Sequence, residues 1–173
     1  MTADKRRVEI EEILKKNTEP ITATQLAKKF SVSRQVIVGD IALMRAAGLK
    51  ISATPRGYVL NLDLESTDIV FTIACHHDQN NMDTELYAIV DNGGTVMDVT
   101  VEHPVYGEIS GELRLSTRYE VEMFLGKIKD NEAQPLSMLT DGIHIHKIKC
   151  KDKQTKKRII EALKKKEIIL EEK

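Results

Sequence analysis

The sequence predicts an α+β protein of two modules, residues 1–62 and 66–173, and three observations support this division. Apolar residues recur at helical spacing in the first module, whereas the second module alternates strand-like segments with helices. Residues 1–60 carry 11 Lys and Arg against 6 Asp and Glu, and residues 61–173 carry 15 against 21. The two net charges, +5 and −6, sum to the −1 of the chain and indicate modules with different partners.

Composition excludes several classes of protein. Hydrophobic residues make up 41% and charged residues 31% of the 173 residues, which is typical of a globular protein in water. There is no apolar run near the ~20 residues of a membrane span and no basic-then-apolar leader. Two cysteines, Cys75 and Cys150, are too few for a disulfide-rich scaffold. We therefore expect a cytoplasmic protein with no membrane partner.

Three short helices are predicted in the first module from apolar spacing and capping signals. The first covers about residues 3–16. Thr22 and Gln25 have the spacing of a capping box, which marks the start of the second helix. Ser33 is the natural N-cap of the third helix. The second and third helices, joined by a short turn, are predicted to form a helix-turn-helix.

The third helix has two different faces when its residues are placed 100° apart. The face with Ile37, Asp40, Ile41 and Met44 is predicted to be buried. The opposite face is small and basic, which suits a helix that enters the major groove of DNA with its N-terminal residues at the base edges. The DNA-contacting residues predicted in the first module are Ser33, Arg34, Gln35, Val38, Arg45 and Arg56.

Residues 49–60 predict two short strands around the turn Pro55-Arg56-Gly57, with Arg56 at the tip, which completes a winged helix-turn-helix. The run S-V-S-R-Q-V-I-V-x-D-I-x-x-x-R-x-x-G-L, followed by R-G-Y-x-L, resembles the winged helix of biotin-repressor-type regulators. This resemblance and the positive charge imply operator DNA as the partner. A winged helix that contacts only protein is the alternative.

The second module is predicted to follow a short polar linker at residues 61–67. Strands are expected over residues 68–77, 95–103, 105–115 and 142–150, and helices over 82–92, from Thr117 onward, and over 154–166. The β-α-β-β-α-β order predicts a ferredoxin-like antiparallel sheet with helices on one face. Met97, Val99, Val101 and His103 are expected to share one face of their strand, because side chains alternate along a strand.

All five histidines lie in the second module, at positions 76, 77, 103, 144 and 146. A His-x-His pair on a strand places both imidazoles on one face, about 6–7 Å apart at the backbone. His77 is in phase with the inward face of its strand, and Glu85 follows on the next helix. Three histidines and one glutamate would favour zinc, nickel, iron or cobalt over magnesium or calcium.

Each of these residues also has a structural alternative. His-x-His pairs are common on surface strands, and Glu85 alone could be a solvated helix residue. His103 precedes Pro104 and could have a structural role at the strand end. Cys75 is in phase with His77, but a buried reduced thiol is the favoured interpretation.

A second resemblance involves five segments, C-H-H-D, T-E-L-Y-A-I-V-D-N-G-G, V-E-H-P-V-Y-G-E-I, A-Q-P-L-S-x-L-T and G-I-H-I-H. They resemble the three-histidine (3H) regulatory domain, and with the winged helix the chain resembles the NiaR family, repressors of NAD biosynthesis and niacin uptake genes. This implies a dimeric repressor with nicotinic acid as co-repressor and a divalent transition metal, nickel or zinc above all, with iron, cobalt or manganese also compatible. The metal ligands implied are His77, Glu85, His144 and His146, and the residues implied near the effector are His103 and Tyr106.

Two other functions remain open at this point. One is a repressor that senses the metal without niacin, and the other is a metal-dependent hydrolase fused to a DNA-binding domain. Against the hydrolase, the sequence has no separate general base near the cluster, no nucleophile motif and no phosphate-binding glycine loop. We therefore expect no enzyme. A homodimer is expected because one winged helix reads too few base pairs, and the second module would form the dimer contact.

Overall fold

The protein divides between residues 65 and 66 into two compact units, here called the N-terminal and C-terminal units. The computed structural model describes residues 2–62 and 66–171. Residues 63–65 of the predicted linker lie outside the described residues, as do residues 1, 172 and 173 of the two predicted modules. Among the described residues, no helix has both the length and the apolar character that crossing a membrane requires.

The N-terminal unit contains three helices and a hairpin, as predicted. These elements are α1 (Ala3–Lys16), α2 (Ala23–Phe30), α3 (Arg34–Ala46), β1 (Ile51–Thr54) and β2 (Gly57–Leu60). The capping box at the start of α2 is formed, since the Gln25 backbone N–H donates to Thr22 Oγ1 and the Thr22 N–H donates to Gln25 Oε1. Ser33 caps α3 by accepting a hydrogen bond from the Val36 backbone N–H.

The inward face of α3 is the predicted one. Ile37, Ile41 and Met44 join the apolar core of the unit. Asp40 is also buried, and its carboxylate accepts hydrogen bonds from Arg6 at 2.6 Å and Arg7 at 3.3 Å. These two arginines of α1 compensate the buried charge, so the ion pairs fix α1 against the helix predicted to contact DNA.

The C-terminal unit is a four-stranded antiparallel sheet with helices packed on one face. Its elements are β3 (Ile69–His76), α4 (Met82–Val90), β4 (Thr95–His103), β5 (Gly107–Leu115), α5 (Arg118–Asp130), β6 (Ile143–Cys150) and α6 (Lys153–Lys165). β6 buries His144, His146 and Ile148 beneath the helices and exposes Ile143 and Ile145 on the opposite face. The α+β class, the antiparallel sheet and the order of elements are therefore confirmed.

The predicted ferredoxin-like strand order is wrong. The sheet order is β3-β6-β4-β5, so the central pair is β6 and β4, whereas the first and third strands form the central pair of a ferredoxin-like sheet. The other edge of β3 is paired with the chain after α6, where His76 N–H donates to the Ile168 carbonyl and Leu170 N–H donates to the Ala74 carbonyl. β3 is therefore the first strand of the four-stranded sheet, and residues 168–170 cover part of its outer edge.

A β-bulge changes which side chains of β4 face the core. The register shifts between Val96 and Asp98 in the pairing of β4 with both of its neighbours. Val96 is consequently fully buried in the core and Val99 packs against it, whereas Met97 is half-buried and is not among the residues packed against the core. The expectation that Met97 shares the inward face of Val99 and Val101 is therefore wrong.

Candidate functional site

Three imidazoles converge on one buried carboxylate in the C-terminal unit. The Glu85 side chain is 1% exposed, and its oxygens lie 2.6 Å from His77 Nε2, 3.1 Å from His144 Nε2 and 3.3 Å from His146 Nε2. His144 and His146 extend from the inner face of β6, His77 follows the end of β3, and Glu85 extends from α4. The four residues predicted as metal ligands are thus brought together from three separate elements.

The second nitrogen of each of these imidazoles bonds to the backbone. His77 Nδ1 lies 2.6 Å from the Asp78 carbonyl oxygen, His144 Nδ1 lies 2.9 Å from that of Gly142, and His146 Nδ1 lies 2.6 Å from that of Asp98. A carbonyl oxygen only accepts hydrogen bonds, so each Nδ1 must carry a proton and donate it. In the neutral imidazole the Nε2 lone pair is then left facing Glu85.

This arrangement needs positive charge between the imidazoles and the carboxylate. The Nε2 lone pairs and the carboxylate oxygens are all acceptors, and acceptors at hydrogen-bond distance repel each other unless protons or a metal cation lie between them. Imidazoles oriented by hydrogen bonds from their other nitrogen are the usual surroundings of a bound metal. The donor set therefore fits a borderline divalent cation.

Without a metal, protons on the imidazoles provide part of the positive charge that this arrangement requires. Burial lowers the pKa values of His77 and His146, but the charge and hydrogen bonds of Glu85 outweigh it, so both pKa values are raised. Burial alone would raise the pKa of Glu85. The three imidazoles overcome that effect and hold its pKa well below the usual value. Protons therefore compete with a metal for this site.

Cys75 adds a sulfur atom to the cluster. One ligand atom from each of Cys75, Glu85 and His144 lies within 4.8 Å of the other two, so this buried group could hold a metal ion. Burial first and the charge of Glu85 second raise the pKa of the Cys75 thiol, so the thiol is protonated in the metal-free protein. Cys75 pairs directly with His144 across the β3–β6 ladder. Its phase with His77 is the sequence signal that could have placed it here.

Gly142 holds the two strand ends together at the cluster. Its carbonyl accepts hydrogen bonds from His144 Nδ1 and from the His77 backbone N–H. Its φ is +91°, and a Cβ at this position would collide with the carbonyl oxygen of His77. Only glycine fits here without moving one of the proposed ligands.

A cavity of about 200 Å³ opens directly beside the cluster. His77, Glu85, His144 and His146 line one end of it, and the walls are mostly apolar. Among the wall residues are Met82, Val99, Leu113, Phe124 and Leu136. The cavity is smaller than the sites that enclose drug-sized molecules, so it suits a small ligand.

The structure does not bring His103 and Tyr106 to this cavity. His103 Nδ1 accepts hydrogen bonds from the backbone N–H groups of Val105 and Tyr106 and so stabilises the turn between β4 and β5. The Tyr106 ring lies 5.1 Å from the His103 ring and is 78% exposed. Their contact with an effector stays a prediction.

The residues predicted to contact DNA differ in their exposure. Ser33, Arg34, Gln35 and Arg45 are exposed at or along α3. Val38, expected on the outward face, is half-buried against the core of the N-terminal unit.

Arg56 lies in the turn between β1 and β2, where it was expected, and it forms an ion pair there. Its guanidinium is 3.3 Å from a carboxylate oxygen of Glu19. A DNA phosphate at the turn would therefore have to compete with Glu19 for this cation. Its role in DNA binding stays a prediction.

Comparison with known proteins is consistent with both units. The chain matches the HTH domain over residues 6–59 and the 3H domain over residues 70–172. It is 44% identical over 160 residues to the probable transcription repressor NiaR of Thermotoga maritima, covering 92% of this chain and 90% of the relative. It is 41% identical over 162 residues to the transcription repressor NadR of Bacillus subtilis, covering 92% and 89%.

These matches decide two expectations. Both relatives are transcription repressors by name and not enzymes, which confirms the expectation against catalysis. The resemblance to the NiaR family is also confirmed. The chain belongs to the 3H-domain family and, within it, to the NiaR/NadR proteins that combine an HTH domain with a 3H domain.

Proposed function

We propose that the protein is a transcription repressor that binds operator DNA as a homodimer, with nicotinic acid as co-repressor and a divalent transition metal in the C-terminal unit. The regulated genes would be those of NAD biosynthesis and niacin uptake, and the protein would act in the cytoplasm. The observation that carries this proposal is the cluster of three oriented imidazoles and Glu85 at one end of a small apolar cavity.

The metal would be held by His77, Glu85, His144 and His146, with Cys75 near enough to contribute its sulfur. When bound, the metal supplies positive charge and a coordination position for the carboxylate or ring nitrogen of a pyridine carboxylate. The protein's own part is to orient the imidazoles through backbone carbonyls and to exclude water with the apolar wall.

DNA binding is assigned to the N-terminal unit. The exposed start of α3, with Arg34 and Gln35, would contact base edges, whereas Arg45 and Arg56 would contact phosphates. Nicotinic acid raises operator affinity only if it binds more tightly to the DNA-competent dimer than to the free protein. His103 and Tyr106 are kept as candidate effector contacts, and single alanine variants at both positions would test them.

The test uses an operator selected from random-sequence duplex DNA by metal-loaded protein with nicotinic acid present. Fluorescence anisotropy then measures the Kd of that operator with metal alone, with metal and nicotinic acid, and with metal and nicotinamide as the control. We expect nicotinic acid, and not nicotinamide, to lower the Kd at least about fivefold. Equal Kd values with and without nicotinic acid would refute the co-repressor role, and dependence on metal alone would favour a metal sensor.

A dimer is tested separately. Sedimentation of the metal-loaded protein at micromolar concentration is expected to give the mass of two chains. A monomer under these conditions would contradict the proposed mode of operator binding.

A further inference from the structure

Ser137 is a buried residue that contributes a side chain to the wall of the cavity. Ser137 lies in the 3₁₀ turn Leu136–Thr140, is 7% exposed and lines the cavity beside the histidine cluster. Its backbone is held in place, because its carbonyl accepts hydrogen bonds from Gly142 N–H at 2.8 Å and Thr140 Oγ1 at 3.3 Å. Within the described residues, the Ser137 hydroxyl itself has no hydrogen-bond partner. A hydroxyl in a cavity wall that is not bonded within the protein is free to donate a hydrogen bond to a ligand.

The distribution of charge along the cavity orients a ligand. None of the described residues that line it is Lys or Arg, so positive charge can come only from the end that the imidazoles form. The end formed by the imidazoles and Glu85 is where a divalent cation would bring positive charge. A carboxylate would therefore be directed to that end. The ring of the ligand would lie between the apolar walls formed by residues such as Leu113 and Phe124.

We propose that the Ser137 hydroxyl donates a hydrogen bond to an acceptor atom on the ring of the effector, the ring nitrogen in the case of nicotinic acid, while the carboxylate lies at the histidine end. Gln134 also lines the cavity but is exposed, so it has a lesser part at the opening. This inference rests on the proposed function and adds a basis for specificity. The site distinguishes an aromatic carboxylate with a ring acceptor from one without.

The experiment is a ligand-and-variant cycle on metal-loaded protein. Calorimetry measures the Kd of nicotinic acid and of benzoic acid, which has the same carboxylate and a ring of similar size without the nitrogen. Both are measured on wild type, on Ser137→Ala and on Ser110→Ala. The last is a matched control, because Ser110 is exposed and its hydroxyl bonds to that of Thr100 across the outer face of the sheet.

The expected result is specific to one ligand and one variant. Ser137→Ala should weaken nicotinic acid about three- to tenfold, the range of one hydrogen bond, and leave benzoic acid unchanged. Ser110→Ala should change neither. The metal content of Ser137→Ala should equal that of wild type, and its Tm without ligand should be unchanged or raised, since the hydroxyl lost has no partner.

The other possible results show whether the role of Ser137 or the proposed function is wrong. Equal weakening of both acids, no weakening of nicotinic acid, or a lowered Tm without ligand would overturn the role of Ser137. Equal affinity of wild type for the two acids would also overturn it, while leaving the proposed function standing. Failure of wild type to bind nicotinic acid at all would refute the proposed function, and the inference with it.

Discussion

Replacing Glu85 with glutamine tests the proposed metal centre most directly. The change keeps the shape of the side chain and removes the negative charge shared by His77, His144 and His146. Loss of a group that merely orients a metal ligand costs about 10- to 100-fold in metal affinity. Because Glu85 is 1% exposed and contacts all three imidazoles, we expect a loss of about 100-fold.

The expected effect on stability follows from mass action. At a free metal concentration 100 times the wild-type Kd, binding stabilises the folded protein by about 2.7 kcal/mol. With a Kd weaker by about 100-fold, the same concentration gives about 0.4 kcal/mol. The difference of about 2.3 kcal/mol corresponds to about 9 °C in Tm, at roughly 4 °C per kcal/mol for a domain near 100 residues.

The assay is thermal unfolding with and without metal, in chelator-treated protein. The measured quantity is the metal-induced change in Tm, so any effect of Glu85→Gln on the metal-free protein cancels. Glu122→Gln, the same change at an exposed position of α5, is the control and should keep the full change. A Glu85→Gln protein whose Tm rises with metal as much as that of wild type would refute the assignment of the carboxylate.

Four further predictions concern the two units. Arg34→Ala is expected to weaken operator binding about tenfold by anisotropy and to relax base preference at one position on repeat selection. Gly142→Ala is expected to lower the Tm and the metal content, because its Cβ would displace the backbone of His77. His144→Ala combined with His146→Ala should abolish metal binding by elemental analysis and leave the helices of the N-terminal unit folded by circular dichroism. Metal affinity should fall as pH falls, starting above the usual imidazole pKa of about 6.5, because the pKa values of His77 and His146 are raised and protons compete for Nε2. Calorimetry in buffers of different ionisation enthalpy would detect the protons released.

The three predictions that rest on substitutions each have a control variant in the chain. Lys16→Ala on α1 should leave operator specificity unchanged, and Gly126→Ala on α5, where a Cβ meets no atom within 4 Å, should not lower the Tm. His76→Ala removes an exposed imidazole and should keep the metal. Arg34→Ala with wild-type affinity, Gly142→Ala with a full metal content, or binding enthalpies independent of buffer would each contradict the corresponding prediction.

Local signals predicted the elements well, whereas long-range pairing was beyond them. The Thr22–Gln25 capping box and the spacing of apolar residues in α3 are local, and both appear in the structure as expected. The bulge beside Met97 depends on the registers of two neighbouring strands. Strand order likewise depends on the competition for the edges of β3, to which residues 168–170 contribute. The alternation of apolar residues along one strand predicts neither the bulge nor the order of the strands.

The sequence likewise predicts one part of the candidate site and not the other. Histidine spacing and phase predict the convergence of His144, His146 and His77, because two of them share one strand. The cavity could not be predicted, since its lining comes from five helices and strands and from the 3₁₀ turn that carries Ser137. Nothing in the local sequence distinguishes the Ser137 hydroxyl from that of any other loop serine.

The hydrogen bonds from Nδ1 of the three imidazoles all end on main-chain oxygens, those of Asp78, Asp98 and Gly142. A side-chain substitution cannot remove a main-chain oxygen, so most mutations at these three positions would keep the hydrogen bonds that orient the imidazole rings. The wall that would enclose the ring has no such protection. A few substitutions in the wall would therefore change which small molecule fits while leaving the proposed metal ligands in their orientation.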